Sequence, residues 1–178
     1  MLQLLTFLLF YDKIISKGGD IMSKICCFTG SRAVNSKDIF DLAKRTESAV
    51  ENLIVNEGFT DFRSGGAVGF DTLAALTVLK LKDKYPHVKL HLILPCKNQE
   101  KFFSKYERGL YKYILDRADT FTFLQEHYSD GIMFKRNRAL VDGADICIAY
   151  LIKLYGGTFQ TVQYAKKQRV PIQNVAKK

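Results

Sequence analysis

The turn Ser64-Gly65-Gly66-Ala67-Val68-Gly69-Phe70-Asp71 follows an apolar, strand-like run and precedes an alanine-bearing helical pattern. The same order of features returns later in the chain, around Tyr155-Gly156-Gly157-Thr158-Phe159-Gln160-Thr161. Glycines let a backbone approach a ligand closely, and the N–H groups that begin a helix point at its negative charge. Both turns therefore predict phosphate-binding sites, and a nucleotide or nucleotide-derived ligand is our leading hypothesis.

From Met22 onward, short apolar runs rich in branched or aromatic residues alternate with longer amphipathic stretches. This alternation is typical of βα units around a parallel sheet. We predict six strands, near residues 24–29, 60–64, 89–94, 120–124, 145–150 and 171–175. We predict helices over residues 36–56, 69–84, 98–116, 131–142 and 158–168. The fold class is therefore α/β, a three-layer sandwich with a mostly parallel sheet of about six strands.

Composition indicates one globular domain in a reducing compartment. The chain has 178 residues, of which 47% are hydrophobic. Its four cysteines lie inside apolar runs and lack the CxxC spacing of a zinc site, so we expect buried thiols in the cytoplasm and no metal. The net charge of +9 suits a polyanionic partner, and nucleic acid is kept as an alternative ligand.

The first residues of the chain stand apart from this pattern. Residues 1–10 are almost wholly apolar, but they lack the basic region and cleavage site of a signal peptide and are too short to span a bilayer. Residues 17–22 can be encoded by a ribosome-binding sequence followed by a start codon. We therefore expect residues 1–21 to be a non-native leader or a misannotated start, and residues 22–178 to form a single domain. The alternative is a membrane-facing or oligomerising N-terminal helix.

Candidate ligand-binding residues fall at the carboxyl ends of the predicted strands, where open parallel sheets bind ligands. Arg32 follows the first strand and can hold a phosphate through two hydrogen bonds. The basic residues Arg136 and Arg138 belong to the helix after the fourth strand, and at least one helix face there is expected to meet the ligand. The predicted ligand-binding residues are Gly30, Ser31, Arg32, Gly65, Gly66, Gly69, Asp71, Arg136, Arg138, Gly156, Gly157, Thr158 and Thr161.

Asp71 is expected in the first turn of a helix. Its carboxylate there either complements the helix dipole or contacts a ribose hydroxyl or a catalytic water. The turn before it is not the GxGxxG dinucleotide motif, because Gly65 and Gly66 are adjacent and no acidic residue follows at the ribose distance. A conventional nicotinamide dehydrogenase is therefore disfavoured.

Together these motifs resemble the SLOG superfamily, which includes the lonely-guy phosphoribohydrolases, the Rossmann domain of DNA-processing protein A and YpsA-like bacterial proteins. The order and spacing are most similar to the YpsA branch over residues 23–175. The resemblance implies a Rossmann-like fold, a nucleotide or an ADP-ribose/NAD-type ligand, a sensor or regulatory role and pairing into homo-oligomers. It rests on Thr29-Gly30-Ser31-Arg32, the turn Ser64 to Asp71 with Ala74-Ala75, Leu94-Pro95-Cys96, Arg136-Asn137-Arg138, Asp142-Gly143-Ala144-Asp145 and Gly156-Gly157-Thr158.

Two alternatives come from the other branches of the superfamily. The lonely-guy enzymes carry a PGGxGTxxE turn, but this chain has Gln163 at the position of the glutamate, and an amide cannot act as a carboxylate base. A hydrolase of N-glycosidic bonds in nucleotides would therefore use Asp71 or Asp142 as its catalytic residue instead. The second alternative is single-stranded nucleic-acid binding, because the turn of DNA-processing protein A is similar to residues 64–75.

Overall fold

Six strands form one sheet in the computed structural model, which describes residues 23–177. The order across the sheet is β4-β3-β2-β1-β5-β6, and each neighbouring pair is parallel. All six strands lie where the sequence predicts them, so the α/β fold with a parallel sheet is confirmed. The strands are β1 Lys24–Gly30, β2 Phe59–Ser64, β3 Lys89–Leu94, β4 Thr120–Phe123, β5 Ile146–Tyr150 and β6 Ile172–Asn174.

The helices follow the predicted order with one correction. They are α1 Ile39–Glu57, α2 Phe70–Lys82, α3 Lys105–Leu115, α4 Ile132–Val141 and α5 Gly156–Lys167. The single helix predicted over residues 98–116 is wrong, because a 3-10 turn over Gln99–Phe102 is separate from α3. A capping box begins α3: the Ser104 hydroxyl accepts from the Glu107 amide at 3.2 Å, and the Glu107 carboxylate accepts from the Ser104 amide at 2.7 Å.

Two hydrophobic cores cover the two faces of the sheet. Successive side chains of a strand point to opposite faces, so Cys26 and Phe28 join the core beneath α1, α2 and α3, while Cys27 joins the core beneath α4 and α5. Cys147 of β5 lies beside Cys27 in the second core. All four cysteines are free and buried, as the sequence predicts.

The strand order reverses beside β1, and this reversal positions the site. The chain runs outward from β1 to β4 and then returns to place β5 on the other side of β1, with Gly30 paired to Tyr150. The segment after β1 leads to α1 in one layer, and the segment after β5 leads to α5 in the other. A crevice forms outside the carboxyl ends of the two strands, where doubly wound sheets bind their ligands.

Some sequence predictions are not tested by these features. In the part of the chain that the structure describes, no helix is long and apolar enough to cross a membrane. The same residues contain no group of three or more His, Cys, Asp or Glu side chains that could hold a metal ion. Expectations for residues 1–21 and for a start at Met22 lie outside the described residues, and the cytoplasmic location remains a prediction.

Candidate functional site

A cavity of about 430 Å³ lies outside the carboxyl ends of β1 and β5, and we call it the central cavity. Four segments and one acidic side chain form most of its wall. These are residues 29–32 after β1, residues 150–153 at the end of β5, residues 155–158 at the start of α5, Met133, Arg136 and Asn137 of α4, and Asp71 of α2. The crevice predicted from the strand order is therefore a cavity of ligand size.

The start of α5 opens into the central cavity. Gly156 has a φ of 82°, a left-handed conformation that favours glycine, and a Cβ added there would meet no atom of the described residues within 4 Å. Among the same residues, a Cβ added at Gly157 would meet only Asn137 Nδ2, at 3.9 Å. The first N–H groups of α5 have no partner within the helix and carry the positive end of its dipole. With Lys153 also in the wall, this end of the cavity suits an anionic group.

At Gly65, in the turn before α2, other parts of the protein occupy the space in front of the glycine. A Cβ on Gly65 would overlap the guanidinium of Arg136 and lie 2.8 Å from Asp71 Oδ2. The Gly65 carbonyl also accepts a hydrogen bond from Arg136 Nη1. Glycine at this position therefore admits the Arg136 side chain, and Gly65 does not lie in the wall of the central cavity.

Gly66 and Gly69 also pack against protein groups. Gly66 has a φ of 64°, and its carbonyl accepts from Gln99 Nε2 at 2.8 Å. Gly69 has a φ of 81°, and a Cβ there would overlap the backbone carbonyl of Arg32. Of this turn, Ala67 and Asp71 are the residues that line the central cavity. The three glycines do not line the cavity themselves but pack against Arg136, Gln99 and Arg32.

A buried ion pair lies at the base of the central cavity. Asp71 and Arg136 are each 5% exposed, and Arg136 Nη1 lies 3.6 Å from Asp71 Oδ2. The same carboxylate oxygen accepts from the Ala67 amide at 3.4 Å, while Arg136 Nε donates to Asn137 Oδ1 at 2.9 Å. These contacts hold both side chains in place at the cavity wall.

Burial sets the protonation behaviour of this pair. It raises the pKa of Asp71, although the charge of Arg136 and the amide of Ala67 oppose the shift. Burial also lowers the pKa of Arg136, with the nearby Arg32 acting in the same direction and Asp71 opposing it. The two partly compensated charges at the cavity base are therefore available to a polar ligand.

The structure brings some predicted residues to the central cavity and leaves others outside. Gly30, Ser31, Arg32, Gly156, Gly157 and Thr158 line it, together with Asp71 and Arg136. Gly30 also admits the ring of Phe70, which a Cβ would overlap.

Besides Gly65, Gly66 and Gly69, three further predicted residues lie away from this cavity. Arg138 places its guanidinium 5.3 Å from the ring centre of Tyr164, on the outer side of α4. The Tyr164 hydroxyl donates to Asp142 Oδ1 at 2.7 Å, so Asp142 is also engaged there. Thr161 donates its hydroxyl to the Gly157 carbonyl at 2.8 Å, one helical turn back. Helix periodicity explains the split between Arg136 and Arg138, because residues two apart face different sides.

Sequence reasoning missed other residues of the wall. Lys153 lies in the segment that follows β5, and its place near a strand's carboxyl end was a signal that could have identified it. Met133 and Asn137 lie one turn apart on α4, and both line the cavity together with Arg136. Their residue types carry no signal for ligand binding, so the strand order and the helix orientation were needed to find them.

Comparison with known families identifies the chain. The YpsA family model, described as the YspA SLOG family, matches residues 34–175, a range that contains both glycine turns. The chain belongs to this family. The resemblance inferred from the glycine turns and the Arg136 region is thereby confirmed.

Relatives of similar length are bacterial. The SPbeta prophage-derived protein YoqJ of Bacillus subtilis is 32% identical over 132 residues, which cover 67% of this chain and 77% of that protein. A UPF0398 protein of Bacillus licheniformis is 27% identical over 136 residues, covering 75% of this chain and 74% of its own. Each alignment covers most of this chain and most of its relative.

Solved structures with the same fold include DNA processing protein A from two bacteria. The Helicobacter pylori protein, described for its single-stranded DNA binding mode, has a TM-score of 0.60 and 17% identity, covering 84% of this chain and 63% of that one. The Streptococcus pneumoniae protein has a TM-score of 0.61 and 21% identity, covering 84% of this chain and 49% of that one. The chain thus spans about half to two thirds of these proteins. At such identities the likeness shows the fold, and the predicted Rossmann-like architecture is confirmed.

Proposed function

We propose that this protein binds a nucleotide or a nucleotide-derived ligand in the central cavity and acts as a sensor or regulatory protein. The observation that carries the proposal is the open start of α5 at Gly156 and Gly157, where no group of residues 23–177 lies closer than 3.9 Å to the position of an added Cβ. Gly157 has no positive φ and no close neighbour to require a glycine, whereas a phosphate approaching the backbone would require one.

The wall of the cavity supplies partners for the phosphate and the ribose of a nucleotide. The α5 N-terminus and Lys153 suit phosphate oxygens. Arg32 offers a planar, five-donor group in the same wall. The Asp71 carboxylate is an acceptor for a ribose hydroxyl, and the charge of Arg136 beside it opposes the rise in the Asp71 pKa that burial causes.

The test compares the same substitution at two open glycines. In Gly157→Val the added side chain enters the central cavity, and in the control Gly109→Val it enters solvent on α3, where a Cβ meets nothing within 4 Å. We expect calorimetry to detect binding of nucleoside mono- or diphosphates to the wild type and to Gly109→Val, and binding at least tenfold weaker in Gly157→Val. Equal binding by both variants, or no nucleotide binding by the wild type, would contradict the proposal.

A second candidate function is hydrolysis of an N-glycosidic bond, favoured by the buried Asp71 carboxylate in the cavity wall. Burial raises the pKa of this carboxyl, as is usual for general acids and bases. Release of free base from a nucleoside monophosphate should then fall at least 100-fold in Asp71→Asn while binding persists. Asp142→Asn is the matched control, since Asp142 lies outside the cavity and bonds Tyr164. Turnover that survives Asp71→Asn would exclude this role.

Single-stranded nucleic acid is the third candidate ligand. Exposed aromatic rings at the same edge of the sheet, Phe102, Tyr128 and Tyr155, accompany a net charge of +9. Stacking on such rings and phosphate neutralisation are the usual means of binding single strands. The affinity for an oligonucleotide should then fall steeply as salt is raised, and a flat salt response would count against this ligand.

A further inference from the structure

A second cavity of about 530 Å³ adjoins the central cavity, and we call it the side cavity. Arg32, Ala67 and Met133 line both cavities, so these three residues form a shared ridge between them. The side cavity extends from this ridge towards the 3-10 turn Gln99–Phe102. The two cavities are therefore neighbouring chambers at one edge of the sheet.

The outer wall of the side cavity carries aromatic rings that the fold leaves uncovered. Phe102 is 89% exposed and Tyr128 is 58% exposed, and both line the cavity. Large apolar side chains are normally buried, and their exposure around a concavity indicates a surface for a partner. A flat aromatic ring lying between them would cover apolar area on both of its faces.

Two amide side chains line the side cavity together with these rings. Asn98 lines the side cavity and makes no side-chain capping bond at the start of the 3-10 turn. Gln99 donates Nε2 to the Gly66 carbonyl at 2.8 Å, which fixes the side chain and leaves its carbonyl oxygen as an acceptor. Aromatic surfaces with amide donors and acceptors at the edge match the chemistry of a nucleobase.

The ridge between the chambers suits an anionic linker. Arg32 is exposed and lines both chambers, so its guanidinium reaches a group that crosses from one to the other. Met133 is a flexible, apolar neighbour that adapts its shape to such a group. A phosphate linkage crossing this ridge would meet the positive charge of Arg32 at the midpoint of the ligand.

We propose that the ligand spans both chambers: two ring-bearing halves joined through phosphates, with one half in the central cavity and a nucleobase on the Phe102 surface of the side cavity. This inference rests on the proposed function and narrows it to dinucleotide-type molecules. A mononucleotide would fill the central cavity alone and leave the aromatic rings of the side cavity unused.

The experiment compares ligands that differ by one nucleoside. Diadenosine diphosphate and diguanosine diphosphate are titrated by calorimetry against ADP and GDP, which keep the two phosphates and one base. The variants are Phe102→Ala and the control Tyr106→Ala, which removes an aromatic ring that is 75% exposed but lines neither chamber. Both rings are exposed, so neither substitution should unfold the protein.

We expect at least one dinucleotide to bind tenfold or more tightly than its diphosphate counterpart. Phe102→Ala should weaken the binding of that dinucleotide about five- to tenfold, as the loss of one stacking contact predicts. The affinity for ADP or GDP should stay within twofold of the wild-type value. Tyr106→Ala should change none of the affinities.

Three other results would overturn the inference. Equal affinities for the dinucleotide and the diphosphate would show that the second nucleoside adds no binding energy. An equal effect of Phe102→Ala on both ligands would show that the Phe102 ring does not contact the second nucleoside. In either case, diphosphate binding that Gly157→Val abolishes would leave the proposed function standing. Failure of all four nucleotides to bind the wild type would remove the proposed function and this inference together.

Discussion

At Gly65 the space that a side chain would fill is taken by Arg136 and Asp71, whereas at Gly157 the corresponding space opens into the central cavity. Gly65 lies between the end of β2 and the start of α2, and Gly157 is the second residue of α5, the helix that follows β5. Their sequences suggest the same phosphate-binding role, yet one turn is filled by the protein and the other is left open. The neighbours of each glycine decide the difference.

This comparison shows that glycine is required in such turns for two separate reasons. One reason is internal, because the backbone must approach a side chain of the same protein, as at Gly65. The other is external, because a ligand must approach the backbone, as we propose at Gly157. The first turn then holds the buried Asp71–Arg136 pair in place, and the second turn offers its N–H groups to the ligand.

The largest effect is expected for Gly65→Ala. The added methyl group would overlap the Arg136 guanidinium, so either the buried ion pair breaks or the turn moves. We expect the free energy of unfolding to fall by about 3 kcal/mol or more, measured by guanidinium denaturation. Gly109→Ala, in the open space of α3, should cost nothing. A loss below about 1 kcal/mol in Gly65→Ala would remove the distinction between the two turns.

Arg136→Met should be the next most damaging change, since it leaves the Asp71 carboxylate buried without its cation. The expected cost at pH 7 is about 3–5 kcal/mol in urea denaturation. Arg138→Met is the control on the same helix, because Arg138 lies on the outer side against Tyr164. That control should cost less than about 1 kcal/mol.

The cost of Arg136→Met should also depend on pH. Burial already raises the pKa of Asp71, and losing Arg136 raises it further. A folded-state pKa above the unfolded value gives stability that is present below the unfolded pKa and lost as pH rises through the folded pKa. The deficit of the variant relative to the wild type should therefore grow from pH 4 to pH 7.5. A deficit that stays constant over this range would show that Asp71 is not the group left without a partner.

A comparison of Gly156→Ala with Gly157→Ala separates the cost of a left-handed backbone from the cost of a steric contact in the second turn. Gly156 has a φ of 82° with open space around it, so the substitution should cost about 1–2 kcal/mol through the left-handed conformation alone. Gly157 has no positive φ, so Gly157→Ala should leave thermal stability unchanged or slightly raised. A similar loss in both variants would mean that Gly157 has an internal role after all.

The strands were predictable from sequence because their residue types and spacing are local signals. The break before α3 was also encoded locally, in the capping pair Ser104 and Glu107, although the longer amphipathic pattern obscured it. The place of the site at the carboxyl ends of the strands followed from the parallel sheet alone.

The groups that lie in front of the glycines in the two turns could not be predicted in the same way. Gly65 meets Arg136 across 71 residues of chain, and no local pattern records such a contact. Sequence reasoning left Arg136 and Arg138 as equal candidates, because the orientation of α4 against the sheet decides between them. Phe102 and Tyr128 likewise meet at the side cavity only through the folding of separate loops.

The smallest loss of stability among the buried side chains is expected for Thr161→Val. This residue was predicted to contact the ligand, but its hydroxyl donates to the Gly157 carbonyl and the side chain is buried within the second turn's own helix. Valine keeps the shape and removes one hydrogen bond, so the free energy of unfolding should fall by about 1 kcal/mol.

Nucleotide binding should nevertheless remain within twofold of the wild type in Thr161→Val, because the Gly157 carbonyl points away from the N–H groups that face the cavity. Calorimetry on the folded variant measures this directly. A tenfold loss of affinity without further loss of stability would place the hydroxyl in the binding site, and the phosphate-binding turn would then extend from Gly156 to Thr161. An unchanged affinity would limit it to the open glycines and Thr158, where the first turn of α5 meets the cavity.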